Sequence, residues 1–597
     1  MIARRTVLSI VLCMAACKSH DTAVRVILTA RLPLQADTLS LRLVDNGGLS
    51  AERTIDVSAG LFETGKDTTE VMLLTEGWSG SVNLNVDATL AGELLAVGQA
   101  LLSVEPGSLV DAHLELVPAD FPVNPRPAAA ARVLASRGGG RQIASDGAGN
   151  FVAVWTEGSC QPSCAVYARL FGPNGTALSD ELVVADGTDA HDTPTVAMAP
   201  DGSFVVAFAR LTGTRGVYAR PYSAQGTPIG AAQRIDSGAV AGLVPSILRL
   251  QGGYVVAWGT LSSTAVTVAA RLLDDSANPN GADFAVDNAA VGPASSQTCD
   301  LRTVCPAGET CYLGRCDVPA PAPAIASIDG DEYVIIYNLG ATLSARLHQG
   351  RGAVALPKVI EARTKRVGEH DVAAVSYGFV VVWSDALTNT SEPAEDGDGR
   401  GIFARRIALQ NKSALVLLDQ SAYTVNSQVV GEQLRPTIAR TRDNVGHLLV
   451  AWAGLKATAA ADADEIWGRR MLEAGLLLGA DLPLNTTTLG VQTRPALAGR
   501  RALSFALLFE DASGLPMQNQ SAGPNGVRGR LLFPDYDTQD GKIGARCGSC
   551  DTGLVCVQVQ GEQRCVAACA GAGASCPQGG TCSEVVGAGH ACLFPTR

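Results

Sequence analysis

The chain has 597 residues, and at about 150 residues per domain that length suits three or four domains. Hydrophobic residues make up 47% against 17% charged, a balance that supports packed cores and excludes wholesale disorder. Lys and Arg number 46 against 58 Asp and Glu, and the net charge of -12 argues against nucleic acid and anionic membrane surfaces as partners. With 64 Gly and only 5% aromatics, the composition is that of a turn-rich β protein.

At the start, Arg4 and Arg5 form a short positive region, Thr6 to Met14 is apolar, and the small Ala15 and Ala16 precede Cys17. Such a run is too short for a hydrocarbon layer of about 30 Å, so residues 1–16 read as an export signal. Met14-Ala-Ala-Cys17 resembles the lipobox of bacterial lipoproteins, with Met14 where that family usually has Leu. The resemblance implies cleavage before Cys17, acylation of Cys17, a lipidated anchor segment over 17–23, and a place in the bacterial cell envelope. Lys18 after the Cys implies the outer membrane, facing the periplasm or the cell surface. An ordinary secretory signal cut nearby is the alternative.

The cysteines agree with export. Of 16, removal of Cys13 and Cys17 leaves 14, in even groups: Cys160 and Cys164; Cys299, Cys305, Cys311 and Cys316; and eight from Cys547 to Cys592. In an oxidising compartment these are expected to form disulfides.

Residues 24–119 alternate apolar and polar like half-buried strands, most cleanly in Ser81-Val-Asn-Leu-Asn-Val-Asp87. The spacing of these runs suggests a small antiparallel β-sandwich, immunoglobulin-like. Phe121-Pro-Val-Asn-Pro-Arg-Pro-Ala-Ala-Ala130 reads as the core of a Pro-rich linker over 120–130.

From 131 to 541 the chain repeats itself. The second copy, TPTVAMAPDGSFVVAFARLTGTRGVYARPYSAQGTPIGAAQRIDSG, shows a strand, an Asp-Gly turn, a strand ending on an aromatic, a loop, a strand of the form G-[VI]-[YF]-A-R, and a last short strand. The aromatic recurs as Trp155, Phe208, Trp258, Tyr337, Trp383, Trp452 and Phe509. The arginine recurs as Arg169, Arg220, Arg271, Arg346, Arg405, Arg469 and Arg530. Repeats of about 40–50 residues with four strands each are the mark of a β-propeller, here seven-bladed. Copy one starts at Arg141, and the seventh stops at Leu532-Phe533 without a fourth strand. Ala131-Arg-Val-Leu-Ala-Ser136 resembles the fourth strands Leu182-Val-Val-Ala185 and Gln233-Arg-Ile-Asp236, so an N-terminal strand at 131–136 is expected to close the ring. The whole is similar to a group of repeat-bearing exported bacterial propellers.

One arginine per blade at matching register reads as a packing device, its guanidinium stacked on the preceding strand's aromatic or bridged to a carboxylate. Loop lengths say more about function. The aromatic-to-arginine separations are 14, 12, 13, 9, 22, 17 and 21, so copies five to seven carry the long second-to-third-strand loops. Binding specificity is expected there.

Three segments share the central pattern C-x-x-G-x-x-C: Cys299, Cys305, Cys311 and Cys316 within an insertion over 295–322; Cys547, Cys550, Cys556 and Cys565; and Cys569, Cys576, Cys582 and Cys592. The last two make up 547–597. Each is too short to bury a core, so disulfides are expected to replace one. They resemble small cysteine-rich knots appended to many exported bacterial proteins. A zinc site of four thiolates usually has two close C-x-x-C pairs, and only Cys547/Cys550 has that spacing.

Nucleophile-elbow, zinc-protease and phosphate-loop motifs are absent, and the seven His read as single, solvated surface residues. Asp396 and Asp398, in an acidic loop over 392–400, are a calcium candidate; no other cofactor is implied. Sialidase repeats carry S-x-D-x-G-x-T-W between the third and fourth strands, whereas here Asp-Gly precedes the second strand. The resulting expectation is a non-enzymatic, lipid-anchored envelope protein, with no catalytic residues, whose propeller binds a protein or glycan. The alternatives are a sialidase-like glycoside hydrolase or lyase, marked by paired carboxylates or clustered arginines at the ring's mouth, and a purely structural component.

Overall fold

The computed structural model of the chain describes residues 21–30, 34–45, 50–62, 69–76, 80–90, 93–124, 131–132, 141–158, 160, 163–173, 175–238, 242–262, 265–290, 310–312, 315–317, 321–328, 331–339, 342–362, 367–385, 400–429, 431–442, 447–455, 464–486, 490–500, 504–512, 526–532, 554–559, 562–567, 569, 581–585 and 589–593. The export signal, Cys17, Asp396, Asp398, Cys299, Cys305, Cys547, Cys550 and Cys576 lie outside them. Strands, turns and bends make up the described residues, and none of them forms a helix long and apolar enough to cross a membrane. Two compact units divide the chain: Met1–Phe121 with Arg530–Leu532, and Pro122–Gly529 with Phe533–Arg597.

The first unit holds β1 (Asp21–Ala30), β2 (Leu34–Asp45), β3 (Ser50–Phe62), β4 (Thr69–Glu76), β5 (Gly80–Leu90), β6 (Glu93–Val104) and β7 (Leu109–Pro118), hydrogen-bonded in the order β3-β2-β5-β6-β7-β1-β4. Alternation decides its core: Leu39, Leu41 and Leu43 of β2 and Val82, Leu84 and Val86 of β5 pack with Val24, Val26 and Leu28 of β1. The expected all-antiparallel pattern fails at one place, because β1 pairs β7 in parallel.

Seven sheets of four or five strands follow, with first strands at Ile143–Ser145, His191–Met198, Gly242–Leu250, Ala324–Ser327, Val367–Val375, Gln433–Arg440 and Gln492–Gly499. These first strands touch in cyclic order, the seventh meeting the first, so the sheets are blades of a closed ring. No blade covers its own faces. In blade 2, Phe204, Val206 and Phe208 pack on Val152 and Val154 of blade 1, while the alternate Val205 and Ala207 pack on Val256 and Trp258 of blade 3. Large side chains face the preceding blade and small ones the next, which is why the repeat aromatic is buried in every copy.

The closing strand is not where it was expected. Blade 7 takes Phe121–Pro122 as its fourth strand, and Val123 N donates to Val527 O at 2.9 Å. Ala131–Arg132 instead pairs Thr156 and Glu157 of blade 1. The physical reason is a side chain. Asn124 Oδ1 accepts from Val527 N at 2.8 Å, as Asn426 Oδ1 does from Ile402 N in blade 5 and Asn485 Oδ1 from Ile466 N in blade 6. An apolar residue followed by Asn or Asp marks these fourth strands, and 131–136 lacks that pair.

Six of the seven repeat arginines prove to be staples between blades. Arg169 Nη1 donates to Val123 O at 3.2 Å, Arg220 to Val184 O at 2.8 Å, and Arg469 to Val425 O at 2.8 Å. Arg271, Arg346 and Arg405 reach Ile235, Val286 and Ile360 in the same way. Each acceptor is a fourth-strand carbonyl of the preceding blade, so the partners are main-chain carbonyls rather than carboxylates. The planar fork suits two strands at once, because Nε of Arg169, Arg220, Arg271 and Arg469 also donates to a carbonyl ten residues on in its own blade.

Cys160 and Cys164 form a disulfide with Cα atoms 4.4 Å apart. The cysteine modules contain two-stranded hairpins that set Cys311 opposite Cys316, Cys556 opposite Cys565 and Cys582 opposite Cys592. His191, His348, His370 and His447 are buried rather than solvated, since the flat ring fills space between blades. His348 stacks on Tyr333 at 5.5 Å, and burial, with Arg346 nearby, holds its imidazole down at about 4.

Candidate functional site

In blades 2, 3, 5, 6 and 7 the first strand begins at a bulge. Registers shift between Asp192 and Thr195, Leu243 and Ser246, Val367 and His370, Leu434 and Thr437, and Thr493 and Ala496. In four copies the bulged residue precedes a proline and has a left-handed backbone: Thr193 (φ 51°), Val244 (φ 51°), Arg435 (φ 55°) and Arg494 (φ 53°). For branched or long side chains this conformation is strained, and bulges of this kind re-aim a side chain at the rim of a sheet. Registered on the buried aromatics, the matching residues in blades 4 and 5 are Ala322 and Glu369.

One position around the ring therefore carries Thr193, Val244 and Ala322 in blades 2 to 4, but Glu369, Arg435 and Arg494 in blades 5 to 7. The charged residues form a connected sector. Ser384 Oγ donates to Glu369 Oε2 at 3.0 Å, and Arg435 Nη1 donates to Thr493 Oγ1 at 2.8 Å. Arg494 Nη1 lies 2.9 Å from both carboxylate oxygens of Glu510, and Arg400 pairs with Glu432. Behind them, Gln492 and Arg528 both hold Asp511.

Burial would raise the Glu369 carboxyl, but the Arg435 and Arg400 guanidiniums outweigh it and hold the group down at about 2. Burial and the neighbouring Arg494 bring Arg435 down to about 10. Glu369 and Arg435 thus feel each other without being ion-paired, and the Arg435 fork makes one side-chain hydrogen bond, to Thr493, among the described residues. An ionised carboxylate and a charged guanidinium so arranged can hold a hydroxyl-rich ligand or stabilise charge developing on it.

This sector stands at the ends of the strands that carry the three long loops. The second strand of blade 5 ends at Asp385 and its third begins at Ile402; in blade 6 the ends are Leu455 and Asp464, in blade 7 Asp511 and Gly526. The calcium candidates Asp396 and Asp398 belong to the first of these loops, and among the described residues no group of three or more His, Cys, Asp or Glu could hold a metal. Glu369, Arg435, Arg494 and Glu510 were missed in the sequence. The signal was available in the residue before the repeat proline, which is Thr or Val in copies two and three but Arg in copies six and seven.

No protein-family model matches the chain, and no curated protein matches it. Among solved structures, the chain is similar to the Hadza microbial sialidase Hz136, at 9% identity, with 73% of this chain and 90% of that one covered and a TM-score of 0.34. It is similar to the GH93 α-L-arabinofuranosidase of Fusarium graminearum, at 12% identity over 56% and 92% of the two chains, TM-score 0.35. The NanB sialidase from Streptococcus pneumoniae follows at 8% identity over 86% and 95%, TM-score 0.33. At these scores the likeness carries nothing about substrate or reaction. The expectation of a non-enzymatic chain is nonetheless corrected to this extent: the solved structures named are sialidases and an α-L-arabinofuranosidase, and Arg400, Arg435 and Arg494 cluster near Glu369 and Glu510.

Proposed function

We propose that the chain is a glycan-directed propeller protein of glycoside hydrolase type, acting at the mouth of blades 5 to 7. The observation that supports this is the convergence of Glu369, Arg435, Arg494 and Glu510, with Arg435 and Arg494 on left-handed backbone, at the ends of the strands that carry the longest loops. Glu369, ionised throughout the physiological range, would face the positive charge that develops on a sugar ring as its glycosidic bond breaks. Arg435 would donate to ring substituents and fix the sugar's orientation. Three arginines (Arg400, Arg435, Arg494) balance three carboxylates (Glu369, Glu432, Glu510), which suits a hydroxyl-rich sugar better than a polyanion. Export and acylation at Cys17 belong to the same reading and bring envelope or surface glycans within reach.

The test is release of reducing ends from a panel of envelope and host glycans by the full chain. Wild-type protein should release sugar, and Glu369→Gln should lower the rate at least 100-fold while still unfolding cooperatively. Equal rates in the two proteins, or binding without release, would overturn the reading.

A further inference from the structure

Arg141 lies just ahead of the first strand of blade 1, and its side chain does not stay with that blade. Nη2 donates to Ile325 O of blade 4 at 2.7 Å and to Val372 O of blade 5 at 2.8 Å, and it stands 3.8 Å from Asp371 Oδ1. In a ring of seven, blades 4 and 5 are the two farthest from blade 1, so this side chain crosses the central channel. The Arg141 carbonyl meanwhile accepts Val196 N of blade 2 at 2.8 Å and Thr195 Oγ1 at 3.3 Å. Its carboxylate partner is equally committed. Asp371, 2% exposed, accepts Val372 N at 2.7 Å and, from blade 6, Thr437 Oγ1 and Ile438 N at 3.0 Å each.

Asp371 follows Glu369 by two residues on one strand, and Arg435 precedes Thr437 by two on the next. Anything that fixes Asp371 against Thr437 therefore fixes the spacing of Glu369 and Arg435. We propose that Arg141 is a positioning residue, a tie across the ring that floors the mouth and holds the Glu369 strand in register with that of Arg435. A guanidinium serves here because its long side chain reaches across the ring, its Nη2 has a proton for each of the two carbonyls, and its charge faces the Asp371 carboxylate. The meaning given to Glu369 rests on the proposed function; the tie itself does not.

The experiment uses the full chain with Arg141→Met and Arg141→Lys, read by amide hydrogen exchange and by carbon NMR titration of the glutamate carboxyls. In Arg141→Met, exchange at Val372 and Ile438 should quicken at least tenfold while Val205 and Val256 keep wild-type rates. The Glu369 carboxyl should titrate at least one pH unit above its wild-type value of about 2, as its distance from Arg435 and Arg400 is no longer held. Arg141→Lys, which keeps the charge on a shorter side chain, should fall between. Unchanged exchange and titration in folded Arg141→Met, or equal quickening in every blade, would overturn the tie. If Arg141→Met does not fold, Arg141→Lys is judged on the same two readouts against wild type. Neither readout needs a substrate, so failure of the wild-type chain to release sugar would end the proposed function and leave this inference standing or falling on its own.

Discussion

Two sets of arginines in this ring look alike in composition and differ in everything else. The staples recur in blades 1 to 6, sit mid-strand, and give their protons to main-chain carbonyls of the preceding blade. The mouth arginines Arg435 and Arg494 lie in two adjacent blades, on strained backbone and near carboxylates. Repetition follows from the need of each blade to attach to the last. Departure from repetition, at a position where the backbone is the same and the side chain is not, has no such cause. The lesson is that in a repeat protein the variable residue at a constant strained position is the one to suspect of function.

The comparison breaks first if the ring does not depend on its closing strand. Val123 is fully buried, its N–H is bonded to blade 7 and its carbonyl takes the Arg169 staple. Val123→Asp places an unpaired carboxylate there and should lower unfolding free energy by roughly 5 kcal/mol, or prevent folding, in denaturant titration. Next in size is the acid limb of Glu369. Its folded value of about 2 lies below the ordinary 4.5, so its contribution is fully present above pH 4.5 and is lost as pH falls through about 2. Glu369→Gln should therefore be less stable than wild type by about 3 kcal/mol at pH 7, with the gap closing steadily from pH 4.5 to 2. A gap independent of pH would show that the carboxylate is not held by the arginines.

How much of this could be read from the letters depends on what repetition can carry. The buried aromatics and the staple arginines were legible because each blade meets its neighbours through the same two faces, so Trp155 and Trp452, or Arg169 and Arg469, answer to one constraint. The closing strand was misplaced because fourth strands are short, and general likeness to Leu182–Ala185 outweighed the one informative feature, the Asn or Asp that takes a third-strand N–H. The mouth was out of reach for another reason. Glu369, Arg435 and Arg494 are about sixty residues apart along the chain, and only the ring closes that distance. Loop lengths did point to the same three blades, since loops and rim position share the strand ends.

The smallest effects discriminate best, because one substitution is made on both sides of the comparison. Arg271→Met strands Ile235 O and Gly281 O at a blade junction and should cost about 2 kcal/mol. Arg220→Met should cost the same within about 1 kcal/mol, since its carbonyl partners are equivalent. Arg435→Met should behave otherwise. Burial and Arg494 disfavour its charged form, a penalty present at all pH values below about 10, and removing the charge lifts that penalty. Against this stands the weaker hold on Glu369 and the single bond to Thr493. The net change should lie within about 1 kcal/mol of zero, or on the stabilising side, in the same denaturant titration that reads the staples. A residue that the fold would do as well without is kept for what it does to a ligand. Should Arg435→Met prove as destabilising as Arg271→Met, the mouth arginine would be one more staple, and the distinction between the two sets would be gone.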